Sequence, residues 1–126
     1  MSLLDSSPIM AFSATTDAER AKAFYRDQLG LRLVSDEPYA LVFDAAGTML
    51  RVQKVKDIRD AQYTTLGWKV ADIASKVEEL AKAGVKFERY GFPGQDDKGI
   101  WTPPGSQTKI AWFKDPDGNI LSLTQF

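Results

Sequence analysis

Arg51 is the residue whose chemistry stands out first. It lies inside Thr48-Met49-Leu50-Arg51-Val52, whose alternation predicts a strand with Leu50 and Val52 on one side and Met49, Arg51 and Gln53 on the other. A guanidinium on a partly dry sheet face would bind a carboxylate, a phosphate or an enolate through paired hydrogen bonds. The alternative is a solvated arginine paired with a nearby Asp or Glu. An enolate would also need a base. The 126 residues contain no histidine and no cysteine, so the base has to be a carboxylate or a tyrosine, and Asp44, Glu88 and Tyr90 are available. The same absences remove Ser-His, Cys-His and His-zinc mechanisms, together with disulfides and thiolate metal sites.

A second group of candidates is aromatic. Residues 91–108 form a long irregular stretch containing Phe92, Pro93, Gly94, Trp101, Pro103, Pro104 and Gly105. A loop longer than about 12–15 residues in a compact domain is usually functional or disordered. Trp101 reads as the aromatic lip of a pocket, as part of a dimer contact, or as the centre of a core strand, Ile100-Trp101-Thr102. Trp112 carries the same alternatives. Asp96-Asp97 hints at calcium, but two adjacent acids without the rest of a ligand loop usually make a solvated turn.

Several elements must position these residues. Ile9 to Thr15 predicts a strand, and Asp17 caps a helix with Ala21, Phe24, Tyr25 and Leu29 as its buried stripe, closed by Gly30. Leu31–Val34, Tyr39–Phe43 and Thr48–Val52 follow as strands. The second half repeats the plan: a strand over Thr65–Val70, then a helix capped by Asp72 with Ile73, Val77, Leu80 and Ala81 as its stripe and Gly84 at its end. Val85–Glu88 predicts the next strand. The chain ends in a hairpin, Ile110–Phe113 and Ile120–Thr124, joined by the turn residues Asp115-Pro116-Asp117-Gly118. Asp17–Gly30 echoes Asp72–Gly84. The expected fold class is therefore α+β: two repeated β-α-β-β-β modules forming a cupped mixed sheet, with helices on the convex face. Module one covers about residues 8–53, a polar linker about 54–63, and module two about 64–126, all within one domain.

Composition narrows the function classes. Hydrophobic content of 44% and charged content of 26% are ordinary for a soluble globular protein. A net charge of −1 gives no electrostatic argument for nucleic acid or an anionic membrane. No apolar run approaches the roughly 18 residues of a membrane span. Met1-Ser2-Leu3 reads as a leader added for expression, no signal peptide is recognisable, and the cytoplasm is the expected location.

The combination of Asp17, Phe24-Tyr25-Arg26-Asp27-Gln28-Leu29-Gly30-Leu31, Asp72 to Gly84 and Phe113-Lys114-Asp115-Pro116-Asp117-Gly118-Asn119 resembles the vicinal-oxygen-chelate superfamily. This superfamily includes glyoxalase I, bleomycin-resistance proteins and extradiol dioxygenases. The resemblance covers nearly the whole chain and implies the fold; one scaffold hosts many chemistries. In metal-using relatives each module gives two ligands, one on its first strand and one on its last. Carried over by spacing, those positions are Met10, Thr65, Arg51 and Ser122. None is a normal ligand for a divalent ion, and a cationic Arg51 would repel one. The resemblance therefore implies the metal-free branch, with no metal and no cofactor, and disfavours glyoxalase or dioxygenase activity. It also implies a homodimer, since related folds complete their cavities across a two-fold axis.

Strand alternation then sorts the faces. Leu50, Val52, Leu66, Trp68, Val70, Leu121 and Leu123 belong under the helices. Met49, Arg51, Gln53, Thr65, Gly67, Lys69, Ile120, Ser122 and Thr124 belong to the concavity, with Met10, Phe12 and Ala14 from the first strand unless a bulge reverses its phase. The expected ligand-binding residues are Phe12, Met49, Arg51, Gln53, Thr65, Trp101, Trp112 and Ser122. Three functions remain open. The first is sequestration of a planar or anionic small molecule, as in drug or metabolite resistance. The second is a metal-independent lyase or isomerase that stabilises an enolate through Arg51. The third is a scaffold without catalytic activity, its concavity filled by its own side chains. No nucleic acid and no membrane partner is expected.

Overall fold

The computed structural model describes residues 3–126; the first two residues of the expected leader, Met1 and Ser2, lie outside the described residues. The elements are β1 (Ala11–Thr15), α1 (Ala18–Lys22) with its π-helical continuation (Ala23–Gln28), β2 (Arg32–Asp36), β3 (Ala40–Ala45), β4 (Thr48–Lys54), β5 (Thr64–Lys69), α2 (Ile73–Lys82), β6 (Lys109–Lys114) and β7 (Ile120–Gln125). Both helices begin as the capping residues dictate. Asp17 and Asp72 take extended backbone and accept hydrogen bonds from Arg20 N and Ser75 N, at 3.1 and 3.2 Å. The first helix widens after one turn, and Leu29 N reaches back five residues to Phe24 O. In that stretch the consecutive residues Phe24 and Tyr25 are both buried.

Two mixed sheets result, ordered β1-β4-β3-β2 and β5-β7-β6. In each, the first strand of the module runs parallel to the last and the remaining pairs are antiparallel, so the repeat expected from the sequence is present. The modules meet where β1 lies beside β5. The core is continuous across both: Leu41, Phe43, Leu50 and Val52 come from the first sheet, and Ala111, Phe113, Leu121 and Leu123 from the second. Phe24 of the first module reaches Phe113 of the second, with ring centroids 6.3 Å apart. Burial of such side chains, at about 1.5–3 kcal/mol each, is the main favourable term.

One expected strand is absent. Val85–Glu88 makes only a single bridge, Phe87 to Phe113, plus Glu88 N to Trp112 O at 2.7 Å. The backbone leaves β6 after those contacts to enter the 91–108 loop, so the second sheet has three strands where the first has four. The phase of β1 is the one alternation gives, without a bulge. Ala11 packs on the core and Ser13 Oγ lies 3.4 Å from Tyr25 Oη, while Phe12 is 49% exposed on the opposite face.

The turn between β6 and β7 ties the modules together. Asp115 is buried, and its carboxylate accepts from Tyr25 Oη at 2.6 Å, Asn119 Nδ2 at 2.8 Å, and the backbone N–H groups of Asp117 and Asn119 at 3.0 and 2.9 Å. Asn119 also donates to Ala14 O on β1 at 3.0 Å. Burial, and then the charge and hydrogen bond of Asp115, push the Tyr25 hydroxyl far above the usual tyrosine range. Gly118, at φ +86, supplies the left-handed residue this turn needs.

Asp117 clamps the start of α1. It accepts from Thr15 Oγ1 at 2.6 Å and from Thr16 N, Thr16 Oγ1 and Arg20 Nη2, each at 2.9 Å. Burial alone would raise its carboxyl, but the threonine bonds and the Arg20 charge outweigh that and hold it below the usual range. Because the folded value lies below the unfolded one, this contribution is complete above the unfolded value. It is lost as pH falls through the folded value. Asp117→Asn is therefore expected to cost about 1–2 kcal/mol near pH 7. The difference from wild type should shrink below about pH 4, as measured by urea denaturation at pH 7 and pH 3.

Candidate small-molecule site

The eight residues expected to bind a ligand fall into two groups, four per module. On the outer face of the first sheet, β1 and β4 run parallel and place Phe12 beside Arg51, with Met49 and Gln53 two residues away on either side of Arg51. Arg51 has an acidic neighbour. Its Nη2 lies 3.4 Å from Glu37 Oε1, and Glu37 is held from the other oxygen by Ser35 Oγ at 2.9 Å. The pairing with a neighbouring acid, one of the two sequence alternatives, is the arrangement present. Both partners keep solvent contact, so the pair is worth about 0–1 kcal/mol. Arg51→Met is expected to leave folding stability within about 1 kcal/mol of wild type, checked by urea denaturation.

None of the proposed bases pairs with Arg51. Asp44 Oδ2 lies 3.9 Å from Arg32 Nη2, and Glu88 Oε1 lies 3.7 Å from Lys114 Nζ. The Tyr90 hydroxyl sits in the other module and is raised by burial and then by the charge of Glu88.

The outer face of the second sheet is different. Trp112 on β6 pairs with Ser122 on β7, and Gly67 lies against Ser122 so closely that an added Cβ would come 2.7 Å from Ser122 Oγ. Ser122 is therefore buried under its neighbours. Thr65 sits in an irregularity of the β5–β7 register, and its hydroxyl is used on Ile120 O at 3.2 Å. What this face presents is aromatic. Trp112 has Tyr90 at 5.5 Å, Phe92 at 5.9 Å and Trp101 at 5.9 Å between centroids, and Phe92 lies 5.1 Å from Trp101. These spacings and tilts are those of favourable edge and offset contacts.

The 91–108 loop is built to hold these rings. Trp101 pairs with Ile110 through both backbone hydrogen bonds, at 2.8 and 2.9 Å, and its Nε1 donates to Pro93 O at 3.1 Å. Gln95 accepts from Tyr90 N at 2.8 Å and donates to Glu88 O and Gly99 O, each at 3.0 Å. Asp96 accepts from Lys98 N and Ile100 N at 2.9 Å, which is turn chemistry and not an ion site. Of the sequence alternatives for Trp101, the ring joins an aromatic cluster, while its backbone makes single bridges instead of a core strand.

Beside the rings lies a cleft of about 320 Å³ bordered by Gln62, Tyr63, Thr64, Tyr90, Phe92, Trp112 and Ile120. Among the described residues no charged one borders it. Tyr90 and Phe92 are each 41% exposed and Tyr63 is 70% exposed, so faces of several rings remain available. The structure brings Trp101 and Trp112 together but leaves Phe12, Met49, Arg51 and Gln53 on the other sheet. Tyr63, Tyr90 and Phe92 border the cleft and are not among the ligand-binding residues expected from the sequence. Gly91, between Tyr90 and Phe92, has φ +74, so no strand alternation in the sequence announces that these two rings meet.

The four positions to which the resemblance assigns metal ligands do not make a donor set. They offer a thioether at Met10, a guanidinium paired with Glu37 at Arg51, a hydroxyl bonded to backbone at Thr65 and a buried hydroxyl at Ser122. Among the described residues no group of three or more His, Cys, Asp or Glu could hold a metal ion.

Residues 9–123 match the family model described as the Glyoxalase/Bleomycin resistance protein/Dioxygenase superfamily. No curated protein sequence matches the chain. Among solved structures, a glyoxalase/bleomycin resistance protein/dioxygenase from Alicyclobacillus acidocaldarius is similar at TM-score 0.76 and 17% identity, covering 96% of this chain and 92% of that one. The genomically encoded fosfomycin resistance protein FosX from Listeria monocytogenes aligns at TM-score 0.75 and 13% identity, over 96% and 93% of the two chains. TnmS3, an antibiotic binding protein from Streptomyces sp. CB03234, aligns at TM-score 0.71 and 25% identity over 98% of each chain.

Proposed function

The chain belongs to the Glyoxalase/Bleomycin resistance protein/Dioxygenase superfamily, and from that premise we propose that it binds a planar small molecule against the rings of its second module. It does so without a metal ion and without altering the ligand. The observation that carries this reading is the cluster of Tyr90, Phe92, Trp101 and Trp112 on the outer sheet face, next to an open cleft. Stacking on such rings supplies affinity, and Gln62 and Thr64 at the rim supply orientation.

The absence of charged residues around that cleft favours an uncharged planar ligand over an anion. The anionic alternative depends on Arg51, which has Glu37 as its partner. Two structural relatives are an antibiotic binding protein and a fosfomycin resistance protein, which supports a drug or a drug-like metabolite as the ligand class.

The protein acts as a homodimer in this reading. Met10, Phe12 and Met49 are 44%, 49% and 42% exposed on one sheet face, a strip that a second copy would cover. A cytoplasmic setting completes the proposal; no helix among the described residues is long and apolar enough to cross a membrane.

The test is to incubate purified protein with bleomycin and with planar aromatic compounds, then recover and weigh each ligand by mass spectrometry. Retention of one compound with unchanged mass is expected. Conversion of the bound compound would replace the binding reading with an enzymatic one.

A further inference from the structure

A second concavity opens on the helix side, away from the aromatic cluster. It lies where the end of the first helix, α2 and β5 converge. Leu29, Trp68 and Leu80 stand around it, Phe113 is part of its floor, and its volume is about 200 Å³. Leu29, Trp68 and Leu80 pack on the core without being fully buried, and Trp68 lies nearly parallel to Phe113 at 6.3 Å. Gln28 Nε2 donates to Ala83 O at 3.0 Å and so ties the ends of the two helices together.

Among the described residues the lining also contains two lysines and no acid. Lys76 stands one turn before Leu80 on α2, and its ammonium bonds Glu79 Oε2 at 3.1 Å in an exposed pair. Lys69, where β5 ends, has no ion-pair partner among the described residues. Apolar walls beneath lysines match one kind of occupant.

We propose that this cleft is a second ligand site, for an amphiphilic anion whose apolar chain or ring enters the cleft and whose carboxylate stays at the lysines. Burial of the apolar part supplies the affinity, and the exposed charges select the anion over its neutral analogue. The site does not depend on the aromatic face of the second module, and either can exist without the other.

The test uses the three tryptophans of the chain. Trp101→Phe with Trp112→Phe leaves Trp68 as the sole indole reporter, so emission reads the helix-side cleft and not the aromatic face. Octanoate, kept below its micelle concentration, is titrated against Trp68 emission, with 1-octanol as the uncharged control. A saturable blue shift is expected, roughly two- to five-fold weaker for octanol and for Lys76→Gln. It should be absent when Leu80→Phe fills the cleft; Val70→Phe serves as a second plug if the first variant does not fold. No saturable change, equal binding of octanol, or unchanged binding in a folded plugged variant would each overturn the proposal.

Discussion

Asp115→Ala should lose about 3–5 kcal/mol of folding stability, enough to unfold a marginal domain. The wild-type carboxylate satisfies four donors in the interior: the Tyr25 hydroxyl, the Asn119 amide and two backbone N–H groups. Removing it leaves all four competing for no acceptor, and each buried orphan costs about 1–3 kcal/mol before relaxation. Asp115→Asn tests the same point more gently, because an amide keeps one acceptor but points donors at Asn119 and Tyr25. Urea denaturation of the three proteins should rank wild type, then Asp115→Asn, then Asp115→Ala. Equal midpoints would show that the turn does not hold the modules together.

Trp112→Ala should reduce the affinity for a planar ligand at least ten-fold while leaving the fold intact. Trp112 meets all three of the other rings, Tyr90, Phe92 and Trp101, within 5.9 Å, and unlike Phe92, which does the same, it is fixed on a strand. Truncating a central aromatic anchor typically costs 2 kcal/mol or more of binding energy, about thirty-fold. Trp112 projects from the outer face of β6, whereas the neighbouring Ala111 and Phe113 are buried in the core, so the stability loss should be smaller than the binding loss. Arg51→Met provides the comparison. If the ligand sits on the second module, that change leaves its affinity within about two-fold; a large loss there would move the site to the first sheet.

Much of the fold was readable because its signals are local. Asp17 and Asp72 are caps, Gly118 closes a turn whose geometry only a permissive residue adopts cheaply, and the alternation of Leu50-Arg51-Val52 and Leu121-Ser122-Leu123 assigns faces directly. The missing strand at Val85–Glu88 shows the limit. Its apolar pattern suits a strand, but strand pairing is decided by what lies alongside, and there only Phe87 reaches its neighbour. The π-helical turn after Lys22 has no recognisable signature in residues 23–28 either.

The candidate site was legible in part. Trp101 and Trp112 stand out by type, and Arg51 by its charge on a sheet face. The partners were not, because they are set by contacts distant in sequence. Glu37 reaches Arg51 across a hairpin, and Gln95 fastens a loop whose regular pattern is too weak to predict. Thr15 and Asp117 are 102 residues apart yet share a 2.6 Å hydrogen bond that no spacing rule anticipates.

The aromatic rings of the second module carry the proposed binding. The most direct test is a thermal-shift panel of planar aromatic compounds on protein stripped with a chelator. At least one compound should raise the melting temperature by several degrees with no metal added, and that gain should vanish in Trp112→Ala. A shift that requires a divalent cation, or one that survives in Trp112→Ala, would contradict it.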